Sequence, residues 1–417
     1  MSRHALLRQS ARGGVRSTAQ ALKQRLPTGA RSVLLLDPSP SGVPPLDLLR
    51  LSTGLRDGGF DVQLQRGPLL DGAAASSPPD VAIVTGVFSW DLPAVRKQLE
   101  WLAEHMSETE RYVTGVLVRR EGRSLAAELG ARMLATGTME ARLDELKPDY
   151  ALVPEWRTSI LITSKFEYRP GGHLAICPRA CDHCQMPKGA ESLPPIRLVS
   201  SFENHLDRCH TSVAVWDNTL MSTPRAHFER VAASLAAFGR PADIACGLMP
   251  AGVPEEELRW RVATLARHGV RLATARMECN DTRELDRFRR MLAHLRAHAG
   301  SLLAADDGAP PAVQCFAVVN TLEAPAVAWR RLEELEALGA GGVQVEVVYF
   351  TPHNWFHERP FVNRAFGWSA AELRRFHERW GGYLQNLHLA VDDDAAEPEA
   401  AAHDELERSM ADFSQQN

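Results

Sequence analysis

From residue 174 to residue 349 the chain repeats one pattern, a short run of Val, Ile, Leu and Ala followed by a longer stretch with apolar residues at helical spacing. Strands are predicted at 174–176, 213–216, 244–246, 270–275, 313–319 and 343–349. The clearest helices are predicted to start at Pro224, Pro254, Asp281 and Glu323, and three of them end at Gly239, Gly269 and Gly339. Proline is tolerated at a helix start and glycine readily takes the conformation that ends one, so these boundaries have a physical cause. Strands alternating with helices indicate an α/β fold, and six βα units at this spacing make an open (β/α)6 barrel. A barrel of this kind gathers function at the C-terminal ends of its strands.

The first third of the chain alternates as well. Strands are predicted at 32–38, 59–64, 81–86 and 112–118, with helices over 45–58, where Leu46, Leu49 and Leu55 share a side, and 92–105. This is the pattern of a Rossmann-like, doubly wound, mostly parallel sheet. The resulting division is a basic disordered arm (1–31), a Rossmann-like domain (32–150), a barrel (151–352), a C-terminal extension with a helix over 369–384 (353–390), and an acidic disordered tail (391–417). Residues 143–172 read as the connector, with a strand over 161–168.

Composition narrows the function classes. A net charge of −5 gives no reason to expect nucleic acid as the main partner. No apolar run reaches the 18 or so residues of a membrane span, and no secretory signal is seen, so a cytoplasmic protein is expected. Seven cysteines, three of them clustered, do not form a disulfide framework. The four scattered ones, Cys209, Cys246, Cys279 and Cys315, show no local ligand motif, and three of them fall in or just after predicted strands, where cysteine packs as a small apolar residue.

The cluster itself is Cys177, Cys181 and Cys184, a C-x3-C-x2-C array within His173–Cys184. Three thiolates this close on one loop can converge on one metal centre. The spacing fits a [4Fe–4S] cluster with one iron left open better than closed tetrahedral zinc, although zinc with a distant fourth ligand stays the alternative.

With this spacing, and a planar residue (His183) just before the last cysteine, the chain resembles the radical S-adenosylmethionine (radical SAM) enzymes. The resemblance implies that SAM chelates the open iron through its amino and carboxylate groups. Reductive cleavage then yields a 5′-deoxyadenosyl radical that abstracts a hydrogen from an unreactive carbon. It also implies the open (β/α)6 barrel over 170–352, with His183 near the SAM adenine. Asp217 and Asn218, after the second strand, fall where relatives carry Asp-Asp-Asn or Asp-Asn and would meet the SAM amino group or substrate. Arg276 and Glu278, delivered by the fourth strand, would hold the SAM carboxylate and ribose hydroxyls. A small-molecule or peptide substrate and an electron donor such as flavodoxin or ferredoxin are the expected partners.

The N-terminal layout is similar to the cobalamin-binding domain that precedes the radical domain in one large group of these enzymes. The likeness rests on the strand ending at Asp37-Pro38, the Pro44-Pro45-Leu46 helix start, the turn over 55–62 and the strand after Pro79-Asp80. No Asp-x-His-x-x-Gly motif is present to give cobalt a histidine. Methylation through cobalamin is one expected outcome; oxidation, cyclisation or rearrangement on a cobalamin-free scaffold is another. A zinc protein or a catalytically silent binding barrel remain alternatives.

Overall fold

A computed structural model describes residues 17–38, 43–69, 78–86, 92–115, 126–134, 138–166, 196–217, 220–244, 253–279, 284–298, 302, 312–320, 324–339 and 343–350, together with 375, 378 and 379. The chain is an α/β protein built on two parallel sheets.

The first sheet holds β1 (Ser32–Asp37), β2 (Asp61–Arg66), β3 (Val81–Thr85), β4 (Glu110–Thr114) and β5 (Arg132–Met133), in the order β2-β1-β3-β4-β5 and parallel throughout. Because the order reverses at β1, right-handed crossovers send helices to both faces. The core residues divide accordingly. Val33, Leu35 and Ile83 pack with Leu48 and Leu55 of α2 (Leu46–Asp57). Leu36, Ala82 and Val84 pack on the opposite face with Val95, Leu99 and Leu102 of α3 (Leu92–His105).

Residues 17–23 form a helix, α1, and are not a disordered arm. Leu22 and Leu26 belong to the first core, Arg25 donates to the Leu134 carbonyl at 2.5 Å, and the Tyr112 hydroxyl donates to the Arg25 carbonyl at 3.0 Å. Two buried leucines outweigh a locally basic composition, since each contributes about 1.5–3 kcal/mol on full burial.

The second sheet runs β13-β12-β11-β10-β9-β6, again parallel throughout, and its order follows the chain. Its strands are β6 (Thr158–Leu161), β9 (Ser212–Val215), β10 (Ala242–Ile244), β11 (Leu272–Glu278), β12 (Ala312–Asn320) and β13 (Val343–Phe350). With no reversal, right-handed crossovers place every connecting helix on one face. Those helices are α5 (Arg225–Phe238), α6 (Glu255–His268), α7 (Glu284–Ala297) and α8 (Pro325–Gly339), after α4 (Thr138–Asp144) in the first domain. One continuous core joins Val213, Val215, Ile244, Met277 and Cys315 of the strands to Phe228, Val262, Phe288 and Leu332 of the helices. As predicted, α5 and α6 stop at Gly239 and Gly269, which take left-handed backbone at φ 66° and 70°.

The first strand of this sheet is β6, at 158–161. The predicted strand at 174–176 lies outside the described residues. The predicted strand over 161–168 divides at Thr163, where the chain turns out of the sheet into β7 (Ser164–Phe166), antiparallel to β8 (Ile196–Leu198).

The close approach of the loops that follow β3 and β4 depends on Gly115, where a Cβ would stand 2.3 Å from the Gly86 carbonyl oxygen. Gly115→Ala is therefore expected to destabilise the first domain by about 2–3 kcal/mol, through overpacking and a strained φ of 97°. Denaturant unfolding would measure it.

Candidate functional site

The segment that carries the three cysteines leaves the described structure at Phe166 and re-enters it at Ile196, and these two residues are direct partners in the β7–β8 ribbon. The ends of the segment are thus fastened together whatever lies between them. One step further in, Lys165 stands opposite Arg197. Like charges directly opposite are unfavourable, and Asp144 at the end of α4 resolves the conflict. Its carboxylate accepts from Lys165 Nζ at 2.6 Å and from Arg197, and also from Arg50 Nη1 of α2 at 3.0 Å.

Burial pushes the Asp144 carboxyl up, but Lys165, Arg50 and Arg197 together outweigh it and hold the pKa at about 2. Arg50 also contacts His205 Nδ1 at 3.3 Å. The guanidinium has only donors, so Nδ1 accepts and the ring proton sits on Nε2. Burial, reinforced by the Arg50 charge, keeps His205 neutral with a pKa well below its ordinary value. Around this buried centre Lys147 pairs with Asp207 at 2.8 Å, and Glu145 accepts from the backbone N–H groups of Ser200 and Ser201. The first domain and the base of the cysteine segment are therefore joined by charge as well as by chain.

At the carboxyl edge of the second sheet Asp217 is buried and fastens the ends of β6 and β9 to each other. Its carboxylate accepts from the Thr163 N–H at 2.9 Å, the Thr163 hydroxyl at 2.6 Å and the Ser164 hydroxyl at 2.8 Å. With the Thr163 proton given to Asp217, the same oxygen accepts from His227 Nε2 at 3.1 Å. Asp217 thereby sets the direction in which β7 departs.

Two buried arginines hold neighbouring loops from behind, each as the seventh residue of its helix (255 to 261 in α6, 325 to 331 in α8). Arg261 donates to the carbonyls of Leu220 and Thr223 at 3.2 and 2.6 Å, and Arg331 to the carbonyl of Cys279 at 2.6 Å. Truncating Arg261 to Ala would take the donor from the Thr223 carbonyl in the interior, while the Leu220 carbonyl keeps the Thr223 N–H and hydroxyl, and is expected to cost about 1–3 kcal/mol, readable as a lower denaturation midpoint.

Opposite the helix-packed core the strands present polar side chains. Asp243 lies between core residues Ala242 and Ile244, Arg276 between Ala275 and Met277, and Gln314 between Val313 and Cys315, so alternation turns all three to the other face. Arg276 and Gln314 are register partners on β11 and β12, and Arg276 Nε donates to Gln314 Oε1 at 3.2 Å. Glu278 ends β11 in register with Phe316. Cys279 and Cys315 are buried in the core, as expected for packing cysteines, while Cys209 is exposed. Cys177, Cys181, His183, Cys184 and Asn218 lie outside the described residues, as does Cys246. Among the described residues no three His, Cys, Asp or Glu side chains gather into a metal site.

Asp144, Arg50, His205 and Asp243 are not among the residues that the sequence singles out. The first three form the junction only in three dimensions, from residues up to 155 positions apart. Asp243 carried a signal in sequence, a carboxylate inside an apolar strand run.

In the first sheet the order reverses between β1 and β3, and the carboxyl ends of these strands flank the crevice where doubly wound sheets take ligands. Asp37 closes β1 with an ion pair to Arg66 at 3.3 Å, and Thr85 closes β3 by donating to Asp47 at 2.6 Å.

Fold and site together define an α/β protein with a doubly wound first sheet and a sequential, one-faced second sheet. No family model and no curated protein matches the chain. Among solved structures it is similar to a novel cobalamin-binding protein from Desulfitobacterium hafniense DCB-2, at 15% identity and a TM-score of 0.23, over 27% of this chain and 55% of that one. The chain thus spans little more than half the length of that protein. It is also similar to a mutant N-acetyl-L-ornithine transcarbamylase complexed with PALAO, at 10% identity and a TM-score of 0.17, over 82% of this chain and 97% of that one. At these TM-scores neither likeness assigns a fold or an activity. No helix among the described residues is long and apolar enough to cross a membrane.

Proposed function

We propose that the chain is a radical SAM enzyme whose Cys177, Cys181 and Cys184 hold a [4Fe–4S] cluster. The observation that carries this reading is the second sheet, six parallel strands in chain order with the core on one face and a polar row on the other. Curling such a sheet toward its polar face makes an open (β/α)6 barrel, with the carboxyl edge as its mouth. The cysteine-bearing segment departs at that edge, between the first strand β6 and the second strand β9.

The donor set fits the group, because three thiolates on four irons leave one iron for SAM, whereas structural zinc would want a fourth protein ligand. With SAM bound, the cluster would supply a 5′-deoxyadenosyl radical able to take hydrogen from an unactivated carbon. The chain's own residues do the rest. The β7–β8 ribbon and Asp144 hold the base of the segment, and Asp217 fixes its departure. His183 would stand beside the adenine, Asn218 and Glu278 would offer polar contacts to SAM, and Arg276 would offer a cation to a bound carboxylate.

A second cofactor belongs at the β1–β3 switch point, and cobalamin is the one the N-terminal layout favours. It would be held there without a histidine from an Asp-x-His-x-x-Gly motif, and it would direct the reaction to methyl transfer; without it the substrate is oxidised, cyclised or rearranged.

The test uses full-length protein reconstituted anaerobically with iron and sulfide, then given SAM and a strong reductant, with and without cobalamin. Mass spectrometry should find 5′-deoxyadenosine in every reaction, and S-adenosylhomocysteine beside it where cobalamin matters. Absence of both from protein with a complete cluster, across a panel of small-molecule and peptide substrates, would contradict the reading.

A further inference from the structure

Asp243 and Arg276 lie on adjacent strands and face the same side of the second sheet, yet they form no ion pair with each other. The reason is visible in Arg276, whose Nε is drawn toward β12 by Gln314 at 3.2 Å, away from β10. Among the described residues no other hydrogen bond holds its guanidinium, so its terminal NH2 groups are unpartnered there. Asp243 Oδ1 is fully buried and has no hydrogen-bond partner among the described residues. A buried carboxyl oxygen without a donor costs free energy that a folded chain ordinarily avoids, and such groups call for an explanation. Burial pushes the Asp243 carboxyl up, and the charge of Arg276 opposes that rise.

A third feature borders the pair. Val213 and Val215 of β9 face the core, so alternation turns Ala214 and Trp216 to the polar side, and Ala214 is the register partner of Asp243. Trp216, at the carboxyl end of β9, is one of three large apolar side chains exposed among the described residues, at 37%. A carboxyl, a guanidinium held apart from it and an open indole thus share one face of three neighbouring strands.

We propose that Asp243, Arg276 and Trp216 form the seat of an aromatic α-amino acid bound as a zwitterion. The ammonium donates to Asp243, the carboxylate accepts from the terminal nitrogens of Arg276, and the side chain lies along Trp216. A zwitterion satisfies both charges at once, where a simple cation would be repelled by Arg276 and a simple anion by Asp243. This names the substrate class for the site described above, gives Arg276 to the substrate carboxylate rather than to that of SAM, and rests on that reading only in taking this face as the inside of the barrel.

The test reads binding without turnover, so it is independent of radical chemistry. Full-length reconstituted protein would be titrated with L-phenylalanine, N-acetyl-L-phenylalanine and L-phenylalanine methyl ester, each with and without saturating SAM. The free amino acid should bind at least about tenfold tighter than either blocked form, SAM present or absent, since each blocked form loses one charge-assisted contact. Asp243→Asn, close in shape, should abolish the preference over the N-acetyl form and keep the preference over the ester. Equal binding of the three probes, or no binding, would overturn the proposal without reference to any variant. A preference that vanishes when SAM is added would assign the array to the amino-acid part of SAM and overturn it equally, as would a full preference retained by Asp243→Asn.

Discussion

Asp144→Ala is expected to lower the unfolding free energy by about 3–5 kcal/mol, because it removes the anion that three buried or half-buried cations share. Arg50 would lose its counter-charge inside the protein, and Lys165 and Arg197 would face each other across the ribbon without the carboxylate they share, Lys165 keeping only the looser pair with Glu140 at 3.9 Å. The damage should reach the cysteine segment, whose two ends run through that ribbon. Reconstituted Asp144→Ala should therefore carry less iron per chain than wild type at temperatures where both remain folded.

The pH dependence follows from the same centre. Asp144 has a native pKa of about 2 against an ordinary 3.8, so its contribution is complete above pH 3.8 and fades as pH falls from there toward 2. By linkage it amounts to about 2 kcal/mol. His205, also depressed, acts earlier: stability that depends on its neutral ring is complete above pH 6.5 and declines as pH falls below that value. Wild type should lose stability in both windows. Asp144→Ala should lose only the contribution of the lower one, which a series of urea midpoints against pH would resolve.

Cys181→Ala is expected to reduce 5′-deoxyadenosine formation to background, with loss of the iron–sulfur absorption. Two thiolates cannot retain the cluster that three hold, and without it SAM is not reduced. Cys209→Ala, at an exposed position outside the array, should keep both absorption and product. Equal product from the Cys181→Ala and wild-type proteins would remove the array from the chemistry altogether.

Much of this architecture was legible because its causes are local. Helices α5 and α6 begin and end at the prolines and glycines that mark them, and the apolar runs of the first half are the strands of a reversing parallel sheet. What could not be read depends on distant partners. Leu22 and Leu26 look like part of a basic arm until the sheet and α2 supply a surface to cover. Strand β6 has only four residues and acquires its place from pairing with β9, 54 positions later. Asp217 was legible as a residue at a strand end, but not the use of its carboxylate, because Thr163 and Ser164 reach it only after β7 turns out of the sheet. Arg50 sits on a helix whose spacing reads as an ordinary amphipathic face, and nothing near it in sequence announces Asp144.

On the proposed reading, Cys177, Cys181 and Cys184 hold a cluster with one iron open to SAM. Its most direct test is electron paramagnetic resonance of the anaerobically reconstituted, reduced protein before and after addition of SAM. About four irons and four sulfides per chain are expected, with a reduced [4Fe–4S] signal and a change in that signal when SAM is added. Zinc at about one per chain with no iron–sulfur signal, or a cluster signal indifferent to SAM, would contradict it.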